Sequence, residues 1–104
     1  MAAPWNPPKK NEDFELHIAL EDYLNPGNFK INPTIAAGDF QISKDGGAFA
    51  NLATLPTVEP ASSQMVLLAL SSTEMNADSV VVRAVDQTSP KEWADFILSI
   101  PTTA

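Results

Sequence analysis

Asp39–Leu52 reads DFQISKDGGAFANL, and this stretch decides the fold class of the chain. Phe40 and Ile42 alternate with polar neighbours, the period-two pattern of a half-buried strand. Asp45-Gly46 and Gly46-Gly47 then supply residues that tolerate the positive φ of a tight hairpin turn. The spacing predicts that Phe40–Ser43 pairs antiparallel with Ala48–Leu52. Upstream, Phe14, Leu16, Ile18 and Leu20 share one face, with Glu15, His17, Ala19 and Glu21 on the other. Phe29 and Ile31 form a short extended piece between the turn Asn25-Pro26-Gly27-Asn28 and Asn32-Pro33.

Downstream, Pro56 and Pro60 make their stretch irregular. Gln64–Leu70 (QMVLLAL) is a near-continuous apolar run of strand length, expected as a central strand. Ser71-Ser72-Thr73-Glu74 fits a capping box, and the strand-like Ser79–Val85 follows too soon for more than one helical turn. Trp93–Ile100 alternates again, with Phe96, Leu98 and Ile100 on the cleaner apolar face. Seven short strands with turns about every ten residues predict an all-β fold, a small antiparallel β-sandwich or barrel. It is immunoglobulin-like or jelly-roll-like in architecture only, since the cysteine pair of antibody domains is missing. The expected core is Phe14, Leu16, Ile18, Phe40, Ile42, Val66, Leu68, Val82, Phe96 and Leu98.

Residues 1–12 read differently. Pro4, Pro7 and Pro8 exclude helix and central strand, because proline lacks the N–H and fixes φ. They predict an extended arm ahead of a single domain at residues 13–104. Trp5 is the arm's one large apolar group, and either folds back on its own domain or anchors on a neighbouring subunit. Trp5, Pro7, Pro8, Lys9 and Lys10 are the candidate interface residues, expected to gain order against another subunit.

Composition removes several chemistries. The chain has no cysteine and one histidine, so thiol catalysis, disulfides and cysteine-based zinc sites are excluded. His17 has no nucleophile motif to serve, and the acidic residues lack calcium-loop spacing. Lys44-Asp45-Gly46-Gly47 lacks the GK[ST] element of a phosphate loop. No catalytic residue, metal or cofactor is expected. Six cations against 13 carboxylates give a net charge of −7, which repels nucleic acid and is read as an aid to solubility. No apolar run approaches the ~20 residues of a membrane helix, and no leader pattern opens the chain. Trp93 and Asp95 share a strand face, a pattern that binds sugars in some proteins; the plainer reading is a tryptophan at the sheet edge beside a solvated aspartate.

Three blocks carry a resemblance: NPTIAAGDFQISKDGGAFANLATLPTVEPAS (Asn32–Ser62), LSSTEMNADSVVV (Leu70–Val82) and EWADFILSI (Glu92–Ile100). In these the chain resembles roughly 100-residue structural virion proteins of tailed bacteriophages. The likeness implies a non-enzymatic virion component, assembled in the host cytoplasm, that forms an oligomer on the particle. Its partners would be the major capsid protein or other virion subunits, with neither nucleic acid nor membrane. The leading expectation is a capsid decoration (cement) protein. The alternatives are a tail, baseplate or fibre module, and a carbohydrate-binding or adhesion module.

Overall fold

A computed structural model describes residues 7–103. The fold is all-β: seven strands in two antiparallel sheets, with a common core between them. In chain order the strands are β1 (Phe14–Ala19), β2 (Phe40–Lys44), β3 (Ala50–Asn51), β4 (Thr57–Val58), β5 (Met65–Leu70), β6 (Ser79–Ala84) and β7 (Phe96–Pro101). One sheet has the order β1-β5-β4 and the other β3-β2-β6-β7. This is a sandwich of two open sheets, which resolves the choice between sandwich and barrel.

The hairpin at DFQISKDGGAFANL forms as its residues require. Asp45 and Gly46 both take positive φ (51° and 77°), and the Gly47 N–H donates to the Lys44 carbonyl at 2.9 Å. That is the turn whose twist matches the flanking strands. Gln41 then faces Asn51 and Ile42 faces Ala50, one residue longer on the β3 side than the turn alone requires. The extra residue is a bulge, pinned by the Ser43 hydroxyl donating to the Gly47 carbonyl at 2.7 Å.

The capping box also closes. Ser71 Oγ accepts from the Glu74 N–H at 3.2 Å, and Glu74 Oε1 accepts from the Ser71 N–H at 2.9 Å. Met75 N–H reaches back to the Ser71 carbonyl, completing a single turn that carries the chain from β5 to β6 in the other sheet. β5 is central in its sheet and turns Val66, Leu68 and Leu70 inward.

Several expectations need correction. Phe29 makes only one isolated bridge, to Glu21, and Ile31 belongs to no strand. The proline-flanked stretch read as irregular contains β4, a two-residue edge pairing with β5 that Pro56 and Pro60 keep short. The last strand begins at Phe96. Trp93, three residues earlier, is no sheet-edge tryptophan; it is fully buried, its ring 5.6 Å from that of Phe40 and its indole N–H donating to the Thr34 carbonyl at 3.1 Å. Half of the expected core is wholly buried (Phe40, Ile42, Val66, Leu68, Val82). Phe14, Leu16, Ile18, Phe96 and Leu98 are only partly so. These five lie on β1 and β7, each an edge strand, so a right choice of face still leaves them beside an open side.

Candidate protein interaction surface

The acidity of the chain does structural work that composition hides. Among the described residues, eight of its 13 carboxylates accept backbone N–H groups, mostly at turns: Asp13, Glu21, Asp22, Asp39, Asp45, Glu74, Asp86 and Glu92. Asp39, fully buried, takes the N–H of Ala36 at 2.8 Å and of Gln87 at 2.9 Å. Asp45 takes those of Asp78 and Ser79. Asp86 takes those of Thr88 and Glu92; burial opposes its charge, but these donors outweigh it and hold the carboxyl below its ordinary range. Solubility alone is therefore an incomplete account of the charge. The loops of this protein are braced by carboxylates.

That bracing matters most at Leu20–Ile31. Asp22 N–H donates to the Asn28 carbonyl at 2.8 Å and Lys30 N–H to the Leu20 carbonyl at 2.6 Å. Glu21 accepts from the Gly27 N–H, and Asp22 from the Leu24 N–H, both at 3.0 Å. Gly27 holds φ +95° with nothing within 4 Å of an added Cβ, so backbone conformation rather than space selects glycine there. Much of the loop backbone is hydrogen-bonded, yet its large side chains point to solvent: Leu24 is 72% exposed, Ile31 64% and Phe29 61%.

Phe29 lines a largely apolar groove of ≈ 530 Å³ with His17, Ile18, Ala19, Pro60 and Met65. Met65, on the groove, stands on the outer face of the three-stranded sheet, where β5 also turns Leu67 and Ala69 away from the core. A strand apolar on both faces is the pattern of a sheet covered on both sides. Here the outer cover is absent among the described residues. The near-continuous apolar run QMVLLAL carries this signal in sequence, whereas Phe29 and Ile31 read there only as a short extended piece, which the loop turns outward.

Of the candidate interface residues, Trp5 lies outside the described residues. Pro7 and Pro8 are half-buried against the C-terminal end of β7, where Thr103 N–H donates to the Pro8 carbonyl at 2.9 Å. Lys10 N–H donates to the Thr103 carbonyl at 2.8 Å, making Lys9 and Thr103 a parallel bridge. The Lys10 ammonium pairs with Asp78 at 3.0 Å, and that partner raises its pKa. Lys9 is exposed. The structure thus gathers Pro7, Pro8, Lys9 and Lys10 beside the end of the chain's own last strand.

His17 is exposed, and among the described residues no three of His, Asp and Glu gather to hold a metal. Trp93, the aromatic that a sugar-binding stripe would need, is 0% exposed and cannot stack on a ligand. No helix among the described residues is long and apolar enough to cross a membrane. The fold and surface define a small antiparallel β-sandwich that presents apolar side chains on a hydrogen-bonded loop. No protein-family model, curated protein or solved structure matches the chain.

Proposed function

We propose that this protein is a non-enzymatic structural component of a tailed-phage virion, a decoration (cement) protein that binds the capsid through protein–protein contacts. One observation carries the binding role: Tyr23, Leu24, Phe29 and Ile31 stand exposed on a loop whose backbone is braced, next to the Phe29–Met65 groove. Contiguous exposed apolar side chains of this size are a mark of interaction sites on soluble proteins. A loop held by its own hydrogen bonds loses little entropy on docking, so more of the contact energy appears as affinity. Assignment to a virion rests on the resemblance of Asn32–Ser62, Leu70–Val82 and Glu92–Ile100.

The test is to purify particles from cells that express the chain with its phage, separate heads from tails, and quantify the protein in each. Stoichiometric recovery on heads supports a decoration protein. Recovery on tails moves the same surface to a tail adaptor, and absence from both overturns the virion reading. A Phe29→Ser/Ile31→Ser variant that stays folded should be lost from the particles.

A further inference from the structure

Arg83 is the one arginine of the chain, and it stands in the middle of the four-stranded sheet. Its strand neighbours Val82 and Ala84 are wholly buried, so alternation sets Arg83 on the sheet's outer face. The ladder registers place it in a rung that crosses all four strands, Asn51–Gln41–Arg83–Ile97. Two neighbours fix its guanidinium. Gln41 Oε1 accepts from an Arg83 Nη2–H, and Gln41 Nε2–H donates in turn to Asn51 Oδ1 at 3.1 Å. The Phe49 ring covers one side, its centroid 3.8 Å from the guanidinium carbon, a cation–π contact.

What this cation lacks is a counter-charge. All 13 Asp and Glu lie among the described residues, and none of them forms an ion pair with it. Three lysines are engaged differently: Lys10 pairs with Asp78, Lys91 pairs with Asp95, and Lys44 donates to the Thr73 carbonyl. In a chain of net charge −7, a guanidinium held in place by neutral groups stands ready for a carboxylate from outside.

We propose that Arg83 anchors a second docking surface, which binds a partner protein through a side-chain carboxylate flanked by apolar groups. The guanidinium is a planar fork of five N–H donors. Gln41 takes one Nη2 hydrogen; whichever it is, one edge with two parallel donors stays whole, the match to a carboxylate. Because Phe49 and Gln41 already hold the fork, little side-chain freedom is lost on binding. Ile97, next in the rung and 67% exposed, and the half-buried Val81 of the same face supply the apolar contacts. A polyanion fits poorly. The positions that share this face on β2, β6 and β7 carry no other charge, and nucleic acid needs several phosphates neutralised together. The surface lies on the sheet opposite the Phe29–Met65 groove, and the inference stands apart from the virion reading.

Being the one arginine, Arg83 gives a single Nε–Hε signal, which NMR of the full chain follows during titration with the blocked tripeptide acetyl-Leu-Glu-Leu-amide. The expected result is a saturable shift of that signal and of the Ile97 amide. The affinity should exceed that of acetyl-Leu-Gln-Leu-amide at least ~10-fold, since a hydrogen-bonded charge pair is at stake. Equal shifts by the two peptides, or no shift at ~10 mM, overturn the proposal. Inorganic phosphate that binds more tightly than the glutamate peptide overturns the choice of carboxylate. A shift that grows on concentrating the protein alone also overturns it, because the site would then hold a second copy's carboxylate. Arg83→Lys keeps the charge and loses the fork, so its affinity for the glutamate peptide, read at the Ile97 amide, should fall ~10-fold. An undiminished affinity refutes the fork; should that variant fail to fold, the titration of the unaltered chain decides alone.

Discussion

Replacing Trp93 with alanine tests the core assignment most directly. The side chain is wholly buried, packs on Phe40, which in turn meets Phe96 edge-on at 6.2 Å, and donates to the Thr34 carbonyl. A buried tryptophan removes roughly 200 Å² from water. At about 25 cal/mol/Å² that is about 5 kcal/mol, of which alanine retains a small part. Measured losses for Phe or Trp to alanine fall at about 3–5 kcal/mol. A domain of this length is stable by only about 5–15 kcal/mol, so the variant should lose a fifth or more of its stability. Urea unfolding followed by circular dichroism reads the change, with the slope m checked for constancy. Trp93→Phe keeps the ring on Phe40 and gives up the indole N–H, so it should cost about 1–2 kcal/mol. If Trp93→Ala costs less than about 1 kcal/mol at constant m, the tryptophan is not in the core and the two sheets do not meet as described.

Three further outcomes are expected. Glu74→Ala strips acceptors from the N–H groups of Ser71 and Ala53 and should cost about 2–3 kcal/mol in the same unfolding assay, as for hydrogen bonds to a charged group. Asp86 has a lowered pKa in the folded protein, so its contribution is full above the ordinary carboxylate value and drains as the pH falls through the folded one; the stability gap between wild type and Asp86→Asn should be widest near neutrality and close in acid, read by urea titrations across pH. Phe29→Ser/Ile31→Ser removes side chains that are mostly exposed, so unfolding should shift by no more than about 0.5 kcal/mol, while particle binding is lost.

What the sequence determined by itself is what depends on neighbours along the chain. Alternation set the inward faces of β1, β2 and β7, whereas β5, apolar on both faces, carries no such pattern. Asp45-Gly46 set a turn because few residues accept positive φ, and Ser71 with Glu74 set a cap because both partners lie within three residues. Which strands stand at the edges is a different matter. That depends on how the chain crosses between sheets at Ser71–Asp78 and elsewhere, and no local pattern encodes it. Hence Phe14 and Leu98, on the correct faces, are only partly buried. Trp93 is buried because the bridge to Asp22 draws it over Phe40. Phe29 and Ile31 turn outward because Glu21 and Asp22 brace their loop. Composition reports how many carboxylates there are; only the tertiary structure shows eight of them holding backbone amides. Burial and long-range hydrogen bonds are properties of the assembled sheets, and a strand alone has neither.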